Sequence, residues 1–288
     1  MIKYILTILF LSLFFVSGAS AGSLTIFETI QEINLAPGGA EHFSFVLKNN
    51  TGNKLDVSMQ KAGFRFKGDE GEVEVFEDPK NELINSWLKP LNPTSFGLAP
   101  GERKRLTFLV SAPPDTEDGG YYATIYFTGI SNNNEVKSNN SLVFVGVDRE
   151  DDNTFLREGR VNGLSVPGFI FYGPVRFGAR FNNLGNIHYK PKGQIDIYNF
   201  LNKRIATIPI QEKNILPNSN LYIYGDWDRK YFLGKYLIVV RMFDGDKNPS
   251  VITKVMWAFP WKEAIVIILI TVLIIIARKL RVKRLKFE

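Results

Sequence analysis

Between Ser23 and about Phe259, apolar and polar residues alternate in short runs cut by Gly, Pro and Asn at intervals of roughly 8–12 residues. His42 to Leu47, Arg105 to Val110, Tyr121 to Phe127, Ser141 to Val147 and Tyr236 to Met242 are such runs. A period of two with β-branched and aromatic enrichment predicts antiparallel strands that bury one face, hence an all-β chain of sandwich type. No long amphipathic helix is predicted ahead of residue 260. Two segments depart from the alternation, one at each end. Lys3 and an apolar run from Tyr4 to Val16 lead to Ala19-Ser20-Ala21, the pattern of a secretory signal peptide over residues 1–21, with a mature start near Gly22.

At the other end, Ala264 to Ala277 is uncharged and aliphatic on every face, which argues against an amphipathic surface helix. Fourteen residues rise about 21 Å, against a hydrocarbon core of about 30 Å. The deficit closes if the helix runs from Trp261 to Leu280, with Trp257 and Trp261 at the outer interface and Lys262 and Arg278 snorkelling. The expectation is a transmembrane helix over 260–280 and a basic tail over 281–288. Arg278, Lys279, Arg281, Lys283, Arg284 and Lys286 would hold that end in the cytoplasm. On this reading the protein is single-pass in the plasma membrane, with its N-terminal part outside.

An internal repeat divides that outer part. Asn49-Asn50-Thr51-Gly52-Asn53 and Asn182-Asn183-Leu184-Gly185-Asn186 each follow a strand; Leu98-Ala99-Pro100-Gly101 and Leu216-Pro217-Asn218-Ser219 each precede one; Gly119-Gly120-Tyr121-Tyr122 and Gly234-Lys235-Tyr236 each open one. Three landmarks in one order predict two tandem Ig-like sandwiches, over 22–147 and 155–259, joined by a hydrated linker at 148–154 that contains Glu150, Asp151 and Asp152. Asn and Gly are expected to supply positive φ in these turns. The first copy is longer. Its surplus falls around Gly63 to Asn92, where Phe64, Arg65, Phe66, Lys67, the turn Gly68 to Gly71, then Glu72 and Glu74 read as an added hairpin. Additions to a shared scaffold tend to carry function, which makes this hairpin the candidate ligand-binding element, with a cover for a sheet edge as the other reading.

Charge and composition narrow the chemistry. The chain carries 35 Lys and Arg against 29 Asp and Glu. Without Lys3 and the tail, 28 basic residues face 28 acidic ones, so the basic balance belongs to the ends and not to a nucleic-acid-binding domain, though a local basic patch is compatible with this total. Cysteine is absent, which excludes disulfides, thiol catalysis, thiolate metal sites and a lipid-modified cysteine. His42 and His188 are the only histidines, lie at matching edges of the two copies and lack partners at catalytic or metal-ligand spacing. Asp244-Gly245-Asp246-Lys247-Asn248 opens like a calcium loop, but Pro249 and Val255 stand where such a loop needs Gly and Glu, and a strand-to-strand turn explains it. Trp87 is expected in the core. No cofactor or metal is implied.

Pro37-Gly38, the Asn-rich turn, Trp87 ahead of Leu98 to Glu102, Pro113-Pro114 and Gly119 to Tyr122 resemble the N-terminal domain of the WxL-interacting cell-surface proteins. Asn182 to His188 and Lys190-Pro191-Lys192-Gly193 are similar to that family's membrane-proximal domain. The resemblance implies a bacterial surface protein whose first domain is associated with peptidoglycan and whose second is associated with protein partners, and it carries over no binding residue. A weaker likeness is to fimbrial chaperones, which pair two Ig-like domains and assemble subunits by strand donation. The first functional expectation is therefore a membrane-anchored scaffold binding cell-wall polymer or a surface protein. The alternative is a tethered assembly factor acting by β-strand addition, marked by a long unpaired edge. A wall-acting enzyme ranks last.

Overall fold

The computed structural model describes residues 23–76, 79–131, 134–149, 155–245 and 248–284, with side chains omitted at 79–81 and beyond 279. The signal peptide expected at 1–21 and most of the linker, 150–154, lie outside the described residues. The alternating runs form strands β1 (Leu24–Phe27), β2 (Ile30–Leu35), β3 (Ala40–Asn49), β4 (Leu55–Lys67), β5 (Glu72–Val75), β6 (Leu88–Pro90), β7 (Ser95–Leu98), β8 (Arg103–Ser111), β9 (Gly119–Ser131), β10 (Asn134–Lys137) and β11 (Ser141–Val147) in the first half. The second half holds β12 (Gly159–Ser165), β13 (Phe169–Ile170), β14 (Val175–Asn183), β15 (Lys192–Tyr198), β16 (Arg204–Pro209), β17 (Asn220–Trp227), β18 (Gly234–Phe243) and β19 (Pro249–Ala258).

Each half is a pair of facing sheets. In the first, the order β1-β3-β8-β6 faces β2-β11-β9-β4-β5, with β10 on β9 and β7 on β4. In the second, β12-β14-β17 faces β13-β19-β18-β15-β16. Alternation along each strand sends one set of side chains between the sheets. Phe45, Phe108 and Phe127 fill the first interior, and Phe177, Phe181 and Ile238 the second. Trp87 is buried there too, its ring centroid 4.6 Å from that of Tyr121.

The repeated landmarks sit at equivalent places, but by different chemistry from that expected. Asn49 matches Asn183, one residue off the sequence alignment, and both are fully buried. The Nδ2 of Asn49 donates to the carbonyls of Asn53 and Leu98, and that of Asn183 to those of Ile187 and Ile215. Each Oδ1 accepts the N–H two residues on. The N–H groups of Gly101 and Asn218, at φ 73° and 56°, close on the Asn49 and Asn183 carbonyls at 2.9 and 3.0 Å. The Asn-rich turns are thus stitched by a buried amide, and positive φ falls at the Pro-Gly and Pro-Asn turns and at Gly119 and Gly234.

Two helices complete the fold among the described residues. Helix α1 (Pro79–Trp87) lies within the surplus of the first half, where no helix is expected from the sequence. Proline at its first position and Glu82 in its first turn suit a helix start, but nine residues are too few to show a periodic stripe. Helix α2 (Trp261–Arg284) follows β19.

Helix α2 overturns the membrane expectation. Among the described residues no helix is long and apolar enough to cross a membrane. The uncharged part is fourteen residues, and any 18-residue stretch of α2 takes in at least three charges, from Lys262 and Glu263 at one end and Arg278, Lys279 and Arg281 at the other. Snorkelling does not remove this deficit. The transmembrane helix, the single-pass plasma-membrane placement, the cytoplasmic tail and the membrane as partner are therefore withdrawn. Trp257, instead of flanking an anchor, is a β19 residue whose N–H donates to the Gly168 carbonyl, and Trp261 is the first residue of α2. Glu263 and the Lys262 N–H both bond the Tyr172 hydroxyl, fixing the start of the helix on the second half. The side chains of Arg281, Lys283, Arg284 and Lys286 lie outside the described residues.

Candidate functional site

The outer face of the β2-β11-β9-β4-β5 sheet is unusually aromatic for an exposed surface. Phe64 and Phe66 on β4, Tyr122 on β9, and Leu142 and Phe144 on β11 project there, with Val73 of β5 beside them. It is covered by the second half. Leu216, in the loop between β16 and β17, packs into the Phe64–Phe144 cluster, where the two rings meet edge to face at 5.6 Å.

His188, in the loop between β14 and β15, enters the same face. Its ring centroid lies 5.0 Å from that of Phe144 and 5.5 Å from that of Tyr122, and its backbone N–H donates to Tyr122 Oη at 3.0 Å. Burial favours the neutral imidazole; Lys190 and Arg157 add to this and Glu32 opposes it, leaving the His188 pKa at about 4. Burial likewise pushes the Tyr122 phenol up. His42, by contrast, is exposed near the start of β3, so the two histidines are not equivalent.

The hairpin tip makes the second set of contacts. Gly68 and Gly71 take φ of 62° and 78°, and Gly71 also approaches Leu221 so closely that a β-carbon there would fall 2.7 Å from Leu221 Cδ1. Between them, the Asp69 carboxylate accepts two bonds from the Arg180 guanidinium, at 2.7 and 2.9 Å. The Asp69 carbonyl takes the N–H of Tyr222 on edge strand β17, and Glu70 accepts the Tyr224 hydroxyl at 2.5 Å. That last bond, with some desolvation, raises the Tyr224 phenol to about 12. At the opposite rim, Glu32 of β2 accepts from Lys190 at 2.6 Å and from Asn214 at 2.7 Å. Burial works against the Glu32 carboxylate, but these two bonds hold its pKa below the usual value.

The hairpin residues singled out from the sequence therefore separate by face. Phe64 and Phe66 point at the second half and are taken up by it. Arg65 and Lys67 pair with Glu74 at 2.8 and 3.3 Å, Arg65 also lying over the Phe76 ring; Glu72 is exposed. The hairpin expected to meet a ligand also forms a strut between the two halves, and its partners Arg180, Tyr222 and Tyr224 carry no sequence signal beyond ordinary strand alternation.

Two clefts flank the strut. One, of about 500 Å³, is lined by Arg65, Phe76, Tyr121, Leu184, Asn186 and Asn218. The other, of about 310 Å³, has an apolar floor of Ile30, Phe66, Leu142, Phe144 and Leu221 beneath Lys190 and Lys213. Strand β2 borders the second. It pairs in parallel with β11 on one side only, through the carbonyls of Thr29 and Leu35 and the residues between them in step. Backbone alternation then turns the N–H and C=O groups of Ile30, Glu32 and Asn34 outward, where no strand among the described residues meets them.

Among the described residues no group of three or more His, Asp or Glu side chains could hold a metal ion.

No protein-family model matches the chain, and no curated protein sequence does. Solved structures with a similar chain course include the class 5 fimbriae chaperone CfaA, at 12% identity and TM-score 0.38 over 81% of this chain and 99% of that one. A second is the CsuC-CsuE chaperone-tip adhesion subunit pre-assembly complex from Acinetobacter baumannii, at 13% and 0.38 over 69% and 89%. A protein of unknown function from Porphyromonas gingivalis is similar at 12% and 0.33 over 82% and 100%. The shared feature is an Ig-like β-sandwich architecture of the kind found in periplasmic fimbrial chaperones. Likeness at this level carries no argument about what this chain binds, and it does not single out the WxL-interacting family.

Proposed function

We propose that the protein binds an extended segment of a partner protein by strand addition along the outer edge of β2. The observation that supports this is the unpaired row of main-chain groups at Ile30, Glu32 and Asn34 beside the apolar floor of the 310 Å³ cleft. An added strand satisfies the main-chain groups, and its alternate side chains enter the cleft, which divides affinity from selectivity in the usual way for edge recognition. The strut holds the cleft wall, so the second half acts as a fixed flank for the incoming strand.

Photo-crosslinking tests this on the full chain in cells. A photoreactive residue at position 30 or at position 34 should capture one partner segment, with attachment points about four residues apart, as an extended pairing requires. Ile30→Pro removes an outward N–H without touching the bonds to β11, and should abolish capture at position 34 while leaving the melting temperature unchanged. Capture that persists in Ile30→Pro, or attachment points scattered over the partner, refutes strand addition at β2.

A further inference from the structure

The outer face of the β1-β3-β8-β6 sheet is cationic. Its outward positions include Lys48 on β3, Arg103 and Arg105 on β8 and Lys89 on β6; none of the outward positions on these four strands is acidic. Lys48 stands directly opposite Arg103 in the register, an arrangement of like charges that destabilises a strand pair. Several strand arginines elsewhere are matched. Arg176 faces Asp226 in register and bonds it at 2.7 Å; Arg180 is held by Asp69; Arg241 and Arg204 converge on Asp196. No carboxylate among the described residues forms an ion pair with Lys48, Lys89, Arg103 or Arg105.

The neighbours of these cations orient them instead of neutralising them. Arg105 donates to Ser44 Oγ at 2.9 Å, and the Arg103 guanidinium lies over the Phe27 ring at 5.5 Å. Both arginines are exposed. Arg103 and Arg105 are about 7 Å apart along the strand, and the row from Arg103 to Leu109, which pairs with Lys89, extends about 20 Å. A small anion reaches one or two of these groups, whereas a chain of anions engages all four.

From this we infer that the β1-β3-β8-β6 face binds a linear polyanion with a phosphate backbone, recognised by the run of charge and not by any side group. The fixed arginine forks suit phosphate oxygens, and β8 presents the two on one face. The site lies on the opposite sheet from β2, so it stands or falls separately from strand addition.

Long-chain inorganic polyphosphate, titrated into the full chain, is the probe. Log affinity should fall with log salt at a slope of about −3, since each of four contacts to a single-stranded polyanion contributes about 0.7. The double variant Arg103→Gln, Arg105→Gln should flatten the slope by about 1.4 and weaken binding at least roughly 10-fold at low salt, with no loss of melting temperature. A control of equal charge, Lys203→Gln with Lys235→Gln on the second half, should leave affinity unchanged, and orthophosphate should not compete. Absence of binding, equal weakening in the control, or competition by orthophosphate overturns the inference.

Discussion

Acidification should loosen the contact between the two halves, and His188 sets the range. Its pKa is lowered from 6.5 to about 4 when it is enclosed by Tyr122 and Phe144. A group whose pKa is depressed in the closed form stabilises that form fully above pH 6.5. The contribution is lost as the pH falls toward 4, because the open form then binds the proton more readily. At about 1.4 kcal/mol per unit, closure loses about 2 kcal/mol between pH 7.5 and 5, a shift of roughly 30-fold in the closed-to-open ratio. Glu32 does not confuse this window: its pKa lies below 4.5, so its bonds to Lys190 and Asn214 weaken only at lower pH. Small-angle scattering and fluorescence transfer between labels on the two halves, taken from pH 7.5 to 5, read the opening directly. His188→Gln keeps the backbone N–H that meets Tyr122 Oη but removes the titrating ring, and its curve should be flat over this range. Identical wild-type profiles at pH 7 and 5, or a slope that survives in His188→Gln, would refute the reasoning.

Two substitutions separate the ordinary stabilising devices of the sandwiches. Asp196 is fully buried while Arg241 and Arg204 are 36% and 57% exposed. Arg241→Ala removes the nearer cation from a buried carboxylate, leaving it Arg204, Thr207 and Gln194, and should cost about 3 kcal/mol in urea unfolding, whereas Asp196→Ala frees two arginines that can turn to water and should cost clearly less. Asn183→Ala removes both donors of the buried stitch, leaving the Ile187 carbonyl without that partner and the Ile215 carbonyl with only the 3.4 Å bond from the Tyr189 N–H, which should cost about 1–3 kcal/mol by the same measurement.

The sheets were readable in the chain because alternation is imposed residue by residue: Phe43, Phe45 and Leu47 announce which side of β3 is inward without reference to any partner. The repeat was readable for a different reason than its residues suggested. Asn49 and Asn183 recur because a buried amide bridges two loops, and a bridge of that kind leaves only a single letter in the sequence. Helix α1 and the fate of the hairpin were not readable. Phe64 and Phe66 give no sign in the sequence of the domain that packs on them, and the groups that join the hairpin tip to it, Arg180 and Tyr224, are 111 and 154 residues from their partners on the hairpin. The membrane expectation failed at its margin: composition named an apolar helix, but fourteen uncharged residues fall short of the length that matters. The run of cations on β8 is plain in the sequence, yet only strand register shows Lys48 brought against Arg103.

The spacing of the strut along the chain governs how the molecule is made. Synthesis delivers Phe64 and Phe144 before Leu216 and the β17 landing strand exist, so the nascent first half leaves the ribosome with a bare aromatic wall. What is later a joint is at that stage a sticky surface, and the part of the chain translated last serves as its cover. Translation that stalls between Val147 and Leu216 would therefore release a fragment prone to clump, and the chaperone demand of this protein is concentrated in the interval before its second half arrives.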